Sequence, residues 1–410
     1  METFRAGASR LCITPDPSYF PVEHFNNRAT GKPSVFNGTI RENIFLRTIV
    51  LDSEQGLFVI AVLDLPGVPE APDLRALIAQ QADTPLENVI LTCTHNHSGL
   101  YADNPVFERW FSADFSEKVH RYRTYLREAA PVAVQQALDS LQPAQVGIAA
   151  GESYLNVCRN ESALGKDAGT YGFMPGVAVD RSLTALELKT LNGDAIAVLL
   201  NYPVHACAMI HNQPTGNGTE ISGDFVGHAC CLLEEKRPGC VVAFTSGAAG
   251  DLNPIMMARV NIPKTDGSIA TKDLGEGGPA VLEFMGTRFV MDAERVLESI
   301  TEYDASPALQ STEEEFTLPH SAVVLPGPPD PVDFHVGVMR IGNAGIIFTN
   351  GEVFNQIGIR LKHKLPLRYP IVITHTGTWS GYVKDDSGVG LFETAATQAV
   401  EHNLLALGLR

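Results

Sequence analysis

The sequence lacks the features of a membrane or nucleic-acid-binding protein. No apolar run approaches the roughly 20 residues that a transmembrane helix needs, and residues 1–5 do not begin a basic segment followed by an apolar one. No Lys/Arg-rich tract is present, and 47 acidic against 30 basic residues give a net charge of −17. We therefore expect a cytoplasmic protein with no nucleic-acid partner and no stable membrane anchor.

The cysteines lack the spacing of a structural framework. Their number is odd, and no CxxC pair is present. Scattered cysteines argue against a set of disulfides and against a zinc ribbon. We therefore predict reduced thiols, most of them buried. They are Cys12, Cys93, Cys158, Cys207, Cys230, Cys231 and Cys240.

Short apolar runs alternate with helical patterns along the chain. The runs predict buried strands at residues 58–65, 88–94, 195–201, 241–245, 344–349 and 371–374. The helical patterns cover residues 73–81, 116–141, 224–236, 281–300, 353–364 and 393–407. Pro131 is expected to kink or divide the second helix. Strands alternating with helices predict an α/β fold, with a mixed or parallel sheet flanked by helices, as one large domain over residues 1–410.

Two histidines stand at the end of one predicted strand. His95 and His97 lie in the segment 94–99, shortly after the apolar run at 89–91. Because side chains alternate between the two faces of a strand, residues two apart project side by side. Paired imidazoles in that geometry indicate a metal site. The alternative is a pair of polar histidines that cap a surface strand.

Three further strand ends carry candidate ligands. His205, Glu352 and Tyr382 follow the third, fifth and sixth predicted strands. The loops beyond the carboxyl ends of strands gather in one crevice of an open α/β sheet, so these residues can converge. Nitrogen and oxygen ligands without thiolate suit Zn²⁺, although ligand type alone leaves Mn²⁺ and Fe²⁺ open. Taken singly, His205 and Tyr382 also fit core positions, and Glu352 fits the first turn of a helix.

Seven short segments surround these residues. They are THNHSG (94–99), VDRSLTALEL (179–188), NYPVHA (201–206), ISGDFVGHA (221–229), SGAAGDLNP (246–254), NGEV (350–353) and GYV (381–383). In this order they resemble the motif set of the neutral/alkaline non-lysosomal ceramidase family, over nearly the whole chain. Residues 40–51 and 58–64 also resemble the N-terminal part of that family. The resemblance implies the fold of the family's N-terminal catalytic domain.

The resemblance also implies a role for each candidate. It implies that His95, His205, Glu352 and Tyr382 bind one Zn²⁺ ion per chain, and that His97 is the general base for a metal-bound water. Zinc can lower the pKa of bound water from about 15.7 to about 7, and an imidazole titrates in the range needed to accept its proton. His97 would then return that proton to the departing amine.

Three positions match the family less closely. Arg159, in NVCRN at 156–160, loosely fits an arginine that binds near the scissile carbonyl, so it is a candidate for stabilising an oxyanion or binding a substrate carboxylate. The alternative is an ordinary surface arginine. Asn253 stands where the family has a serine, which excludes a serine nucleophile. Phe392 stands where a second tyrosine is expected, and loss of one oxyanion donor typically costs about 2.7 to 4 kcal/mol unless Asn253 or Arg159 compensates.

The resemblance implies a metal-dependent hydrolase of linear amides. We expect a short member of the family, without the C-terminal immunoglobulin-like domain of its long members. A small soluble N-acyl compound or peptide-like amide is the favoured substrate, and ceramide comes second. An esterase or lactonase on the same site, and a non-catalytic metal- or ligand-binding relative, are the alternatives. Whether the chain forms a homo-oligomer stays open.

Overall fold

The computed structural model describes residues 4–23, 35–102, 112–160, 171–263, 269–323, 331–383 and 390–409. Its helices are α1 (Ala71–Ala82), α2 (Ala113–Asp139), α3 (Asp224–Lys236), α4 (Gly278–Glu298), α5 (Asn355–Lys362) and α6 (Leu391–Ala406). Within these ranges, no helix is long and apolar enough to cross a bilayer.

The strands are numbered in chain order. They are β1 (Arg5–Cys12), β2 (Val22–Glu23), β3 (Val35–Ile40), β4 (Phe45–Ser53), β5 (Gly56–Leu63), β6 (Val89–Cys93), β7 (Gln142–Glu152), β8 (Asn156–Asn160), β9 (Tyr171–Met174), β10 (Ser182–Thr190), β11 (Ala195–Tyr202), β12 (Thr219–Ile221), β13 (Val241–Ser246), β14 (Leu252–Pro254), β15 (Arg259–Pro263), β16 (Ile269–Asp273), β17 (Tyr303–Asp304), β18 (Leu309–Leu318), β19 (Val332–Ile341), β20 (Ala344–Thr349), β21 (Glu352–Val353), β22 (Tyr369–Ile373) and β23 (Tyr382–Val383). The predicted strands are all present, with bounds within two residues of those expected.

A large mixed sheet forms the centre of the fold. Its strand order is β13-β11-β10-β7-β1-β4-β5-β6, and β17 pairs with β7. The pairs β5 with β6 and β11 with β13 are parallel, whereas the other neighbours are antiparallel. The predicted α/β fold with a mixed sheet is therefore confirmed.

The alternation of side chains along each strand divides the core into layers. On β4, Leu46 and Val50 face the core that α1 and α2 cover, whereas Ile49 and Leu51 face the opposite side. We call the face covered by α1 and α2 the outer face of the sheet. On this same face, α3 and α4 pack over β10, β11 and β13. Because side chains two apart share a face, each buried strand contributes to two separate cores.

A second sheet covers the inner face of the first. Its order is β18-β19-β20-β22, and side chains from both sheets form one apolar cluster. The other face of this second sheet packs against α5 and α6. The described elements therefore stack as helices, sheet, sheet and helices.

Helix α2 contains Pro131, where the sequence predicts a kink or a division. The helix runs through this proline as one element, so it is not divided. Its buried face, which includes Tyr122, Leu126 and Val134, packs into the same core as α1. Packing of that face compensates for the backbone hydrogen bond that a proline inside a helix removes.

A buried ion-pair cluster ties helix α3 to the sheet. Arg47, on β4, is 1% exposed; its Nη1 donates to Asp64 Oδ2 at 2.7 Å and its Nε to Glu234 Oε1 at 3.0 Å. The carbonyl oxygen of Asp64 accepts a hydrogen bond from Asn96 Nδ2 at 3.2 Å. The cluster therefore links α3 and the end of β5 to the segment that follows β6.

We expect Arg47→Met to lower the free energy of unfolding by about 3–5 kcal/mol, because it leaves a buried carboxylate without its ionic partner. Urea unfolding measures this change. Arg5→Met is the matched control, because it removes an arginine from an exposed pair with Asp52 and should cost less than about 1 kcal/mol. Equal losses in the two variants would contradict the importance of the buried cluster.

Candidate metal centre

Chain segments beyond the carboxyl ends of four strands meet in one place. They follow β6, β11, β20 and β22, and they carry His95 with His97, His205, Glu352 and Tyr382 respectively. Asn96 and Ala206 form an isolated parallel bridge, which joins the loops after β6 and β11 although these strands lie far apart in the sheet. Thr92 Oγ1 donates to the carbonyl oxygen of Thr374 at 2.9 Å, which connects the end of β6 to that of β22. The predicted convergence of these residues is therefore present.

Two imidazoles and a carboxylate converge at the centre of the site. The Nε2 atoms of His95 and His205 lie 3.1 Å apart. Glu352 Oε2 lies 3.3 Å from the first of these nitrogens and 3.2 Å from the second. All three side chains are buried. The three atoms thus form a compact group of potential ligands.

Backbone carbonyls fix the proton on both imidazoles. His95 Nδ1 donates to the Pro66 carbonyl oxygen at 2.5 Å, and His205 Nδ1 donates to that of Ala249 at 2.7 Å. Because a carbonyl can only accept, each Nδ1 carries a proton, and each Nε2 presents a lone pair when its ring is neutral. Burial and the charge of Arg159 lower the pKa of His205 to about 3, so this imidazole is neutral at pH 7.

The lone pairs of this group face one another. Burial alone would raise the pKa of Glu352, but His95 and His205 hold it well below its ordinary value, so the group is a carboxylate. With both rings neutral, the two nitrogens and the carboxylate oxygen repel each other at such distances, and a proton on one of them or a cation between them relieves that repulsion. Arg159 Nη2 lies 3.3 Å from His205 Nε2, but one N–H cannot serve all three atoms. The donor set, nitrogen and oxygen without thiolate, fits a divalent cation such as zinc.

His97 lies beside this group but has a different partner. Its Nε2 is 3.2 Å from His95 Nε2, and together with His205 these residues form a cluster that could hold a metal ion. His97 Nδ1 lies 2.6 Å from the hydroxyl oxygen of Tyr101. A hydroxyl both donates and accepts, so it is compatible with either tautomer of the imidazole. Burial and the neighbouring His95 lower the pKa of His97 well below its usual value, so its ring is neutral at pH 7.

Arg159 and Asn253 come together through the pairing of β8 with β14. Arg159 Nη1 donates to Asn253 Oδ1 at 3.1 Å, and Nη2 donates to the Gly250 carbonyl oxygen at 2.8 Å. Gly250 has no room for a side chain, because a Cβ atom there would lie 2.5 Å from the carbonyl oxygen of Glu352. The glycine-rich turn therefore packs directly beneath the site and brings the half-buried guanidinium to its edge.

Tyr382 reaches the site beside Arg159. Its hydroxyl oxygen accepts a hydrogen bond from Arg159 Nη2 at 3.3 Å, and the same nitrogen approaches His205. The backbone of Tyr382 pairs with that of Glu352 between β23 and β21. Every candidate from the sequence thus lies in or next to one cluster.

Further side chains hold the candidates in place. Trp379 Nε1 donates to Glu352 Oε1 at 2.8 Å. The His375 ring stacks on that of His95, with centroids 3.9 Å apart and an interplanar angle of 10°. Trp379 and His375 lie in the segment just before Tyr382, so their closeness to a predicted ligand in the sequence could have indicated that they lie near the site. No pattern in the sequence points to Tyr101.

Phe392 lies outside the candidate site, although its motif position is that of a tyrosine expected in the site. Its ring lies 4.9 Å from that of Phe334 and 6.3 Å from that of Phe316, measured between centroids, and it is 2% exposed. Its apolar cluster lies between the second sheet and helices α5 and α6, and it contains none of the candidate ligands. Phe392 is therefore a core residue at the start of α6, because an apolar ring is more stable there than beside charged groups.

The fold and the site together define an α/β protein with a candidate metal centre at the carboxyl ends of its strands. A family model described as neutral/alkaline non-lysosomal ceramidase, N-terminal, matches residues 38–273, which is more than half of the chain. The chain therefore belongs to this family, as the resemblance of its motifs implied. The matched range contains His95, His97 and His205, whereas Glu352 and Tyr382 lie beyond it.

Individual relatives are similar over different lengths. Neutral ceramidase B of Dictyostelium discoideum is 28% identical over a match of 176 residues that covers 41% of this chain. The chain spans only 24% of the length of that curated relative. The crystal structure of neutral ceramidase from Pseudomonas aeruginosa has a TM-score of 0.72 and 16% identity, and the match covers 99% of this chain and 75% of that one. The structure of a ceramidase complexed with C2 has the same TM-score with 18% identity, and covers 99% and 76%. At these identities, the solved structures show a shared fold.

We expect a divalent cation to stabilise the protein through these ligands. At 100 times its dissociation constant, a cation that binds only the folded state adds about 2.7 kcal/mol, which a thermal-shift titration detects as a higher Tm. Glu352→Gln should remove this shift, because it keeps the size of the side chain but not its charge. Glu314→Gln, at a part-exposed surface pair, is the control. A shift that survives in Glu352→Gln would place the cation elsewhere.

Proposed function

We propose that the chain hydrolyses linear amide bonds with one zinc ion in this site. The reaction class is supported by the family, since the relatives above are ceramidases and breaking ceramide into its parts cleaves an amide. His95, His205, Glu352 and Tyr382 are the proposed ligands. A zinc ion there would act as a Lewis acid and lower the pKa of a coordinated water from about 15.7 to about 7. Because the ligands span residues 95–382, we propose one catalytic unit over residues 1–410.

The observation that carries this proposal is the contrast between His97 and the other two histidines. His95 and His205 each donate from Nδ1 to a backbone carbonyl, which locks the tautomer that a ligand needs. His97 instead contacts the Tyr101 hydroxyl, which tolerates a proton on either ring nitrogen. A base that accepts a proton at Nε2 keeps its Nδ1 proton throughout, and the Tyr101 hydroxyl can accept a hydrogen bond from it, so we assign His97 as the general base and not as a ligand.

The proton transfers follow from this assignment. The attacking water gives one proton to His97 Nε2 as its oxygen bonds to the carbonyl carbon of the amide. His97 then gives this proton to the amine nitrogen as the carbon–nitrogen bond breaks. The products are a carboxylic acid and an amine, and His97 returns to its neutral form.

Arg159 is the proposed stabiliser of the negative charge that develops on the carbonyl oxygen. Its guanidinium borders the cluster at His205 and Tyr382. Asn253 accepts from Nη1 and therefore holds the guanidinium in place. Donors that are positioned before the reaction begins stabilise the transition state without reorganising.

A small soluble N-acyl compound or peptide-like amide is the proposed substrate class. Two departures from the family's motif set support it over ceramide. Asn253 replaces a serine hydroxyl, and Phe392 lies in the core instead of offering a phenol to the site. Ceramide is the second candidate, because the family and its relatives carry that name.

We expect His97→Gln to lower kcat by roughly 10²–10⁴-fold, the usual contribution of a general base, while zinc stays bound. Metal analysis of the purified variant and its kcat on an N-acyl amide test both parts. His402→Gln is the control, because this histidine is exposed on α6 and pairs with Glu314 at the surface. Loss of zinc together with activity would make His97 a ligand, and normal turnover would remove it from the mechanism.

We also expect the enzyme to accelerate the hydrolysis of amides, and not of esters alone. The test uses matched ester and amide substrates with the same acyl group, and it compares kcat/KM after correction for uncatalysed hydrolysis of each. A larger rate enhancement for the amide is the expected result, because His97 can protonate the amine as it leaves. Enhancement confined to the ester or to lactones would favour the esterase alternative. Stoichiometric zinc without turnover on either would favour a binding protein.

A further inference from the structure

The two oxygens of Glu352 have different surroundings. Oε2 faces the Nε2 atoms of His95 and His205. Oε1 points the other way and accepts a hydrogen bond from Trp379 Nε1 at 2.8 Å. One oxygen of the carboxylate therefore contacts the ligand cluster, and the other contacts an indole.

We propose that Trp379 is a positioning residue that reserves Glu352 Oε1 for the indole and presents Oε2 alone to the metal. The indole N–H is a donor only, so it can satisfy the carboxylate but cannot itself bind a cation. A histidine or a carboxylate at this position would compete for the ion. This inference rests on the proposed metal site and adds how one of its ligands is aimed.

The hydrogen bond from Trp379 affects how many oxygens of Glu352 can bind the metal. A carboxylate can bind a metal through one oxygen or through both. An indole hydrogen bond to Oε1 disfavours the second mode, since the same oxygen would have to turn from the indole to the ion. Single-oxygen binding leaves one more position at the metal for water and substrate, which a catalytic zinc site requires.

The segment that carries Trp379 is anchored on both sides. His335 Nε2 and Thr376 Oγ1 lie 2.8 Å apart, and Asn350 Nδ2 donates to the Thr378 carbonyl oxygen at 3.3 Å. Ser380 Oγ donates to the carbonyl oxygen of Asp333 at 3.0 Å. The half-buried indole is thus held between fixed points of the chain, so its N–H direction is set before any ligand binds.

The first test is Trp379→Phe, which keeps an aromatic ring but removes the N–H. We expect the affinity for Zn²⁺ to fall by about 10- to 100-fold, the usual effect of losing a partner that orients a ligand. With Co²⁺ in place of zinc, we also expect weaker visible absorption bands, because a carboxylate that binds through both oxygens raises the coordination number. A merely structural change would not move these bands in a variant of unchanged Tm without metal.

Tyr154→Phe is the matched control. It also removes an aromatic donor from a glutamate, since the Tyr154 hydroxyl donates to Glu152 Oε2 at 2.7 Å on an exposed part of the chain. Its zinc affinity and Co²⁺ spectrum should equal those of the wild type. If Trp379→Phe also equals the wild type in both measurements, the inference is wrong, although the proposed zinc site would stand.

A second measurement keeps Trp379 and therefore does not depend on whether Trp379→Phe folds. The chain has two tryptophans, so Trp110→Phe leaves Trp379 as the sole indole emitter. Titration with Zn²⁺ should change this emission with the same dissociation constant that calorimetry gives, because the ion draws charge from the hydrogen-bonded carboxylate. Unchanged emission at saturation would overturn the inference. Failure of the wild type to bind zinc by calorimetry would instead overturn the proposed function.

Discussion

The electrostatic conflict at the strand ends is the constraint around which the site is arranged. Two imidazole nitrogens lie 3.1 Å apart and both present lone pairs when their rings are neutral, and a carboxylate oxygen lies within 3.3 Å of each. These groups are buried, so water screens their repulsion little. A proton or a metal cation removes the conflict, and the rest of the fold holds the three groups close enough to share a cation.

Backbone contacts hold His95, His205 and Glu352 this close together. The carbonyls of Pro66 and Ala249 fix both ligand tautomers, and Gly250 lets the turn that carries one of them approach Glu352. On the outer face, Arg47 ties the end of β5 to α3 within the sheet's core. Each of these contacts satisfies a buried polar group, and together they pre-organise the site before a metal or a substrate binds.

Much of this arrangement could be predicted from sequence. Apolar runs located the buried strands, and the polar residues at their ends, such as His205 and Glu352, could be expected to converge. The register of the sheets and the proton positions could not, because they depend on contacts between distant segments. The spacing of His95 and His97 does not distinguish them, whereas in the structure the partners of their Nδ1 atoms and the contact of His95 with Glu352 do. Phe392 shows the reverse error, since a motif position suggested the site while its apolar ring is more stable in the core.

The most direct measurement is the anomalous diffraction map of a zinc-loaded crystal. We expect one peak per chain, with the Nε2 atoms of His95 and His205 at about 2.0–2.1 Å and one oxygen of Glu352 at about 2.0–2.2 Å. His97 Nε2 should lie beyond bonding distance, with its Nδ1 still paired with Tyr101. A map in which His97 Nε2 binds the zinc at about 2.0–2.1 Å would contradict its assignment as the general base.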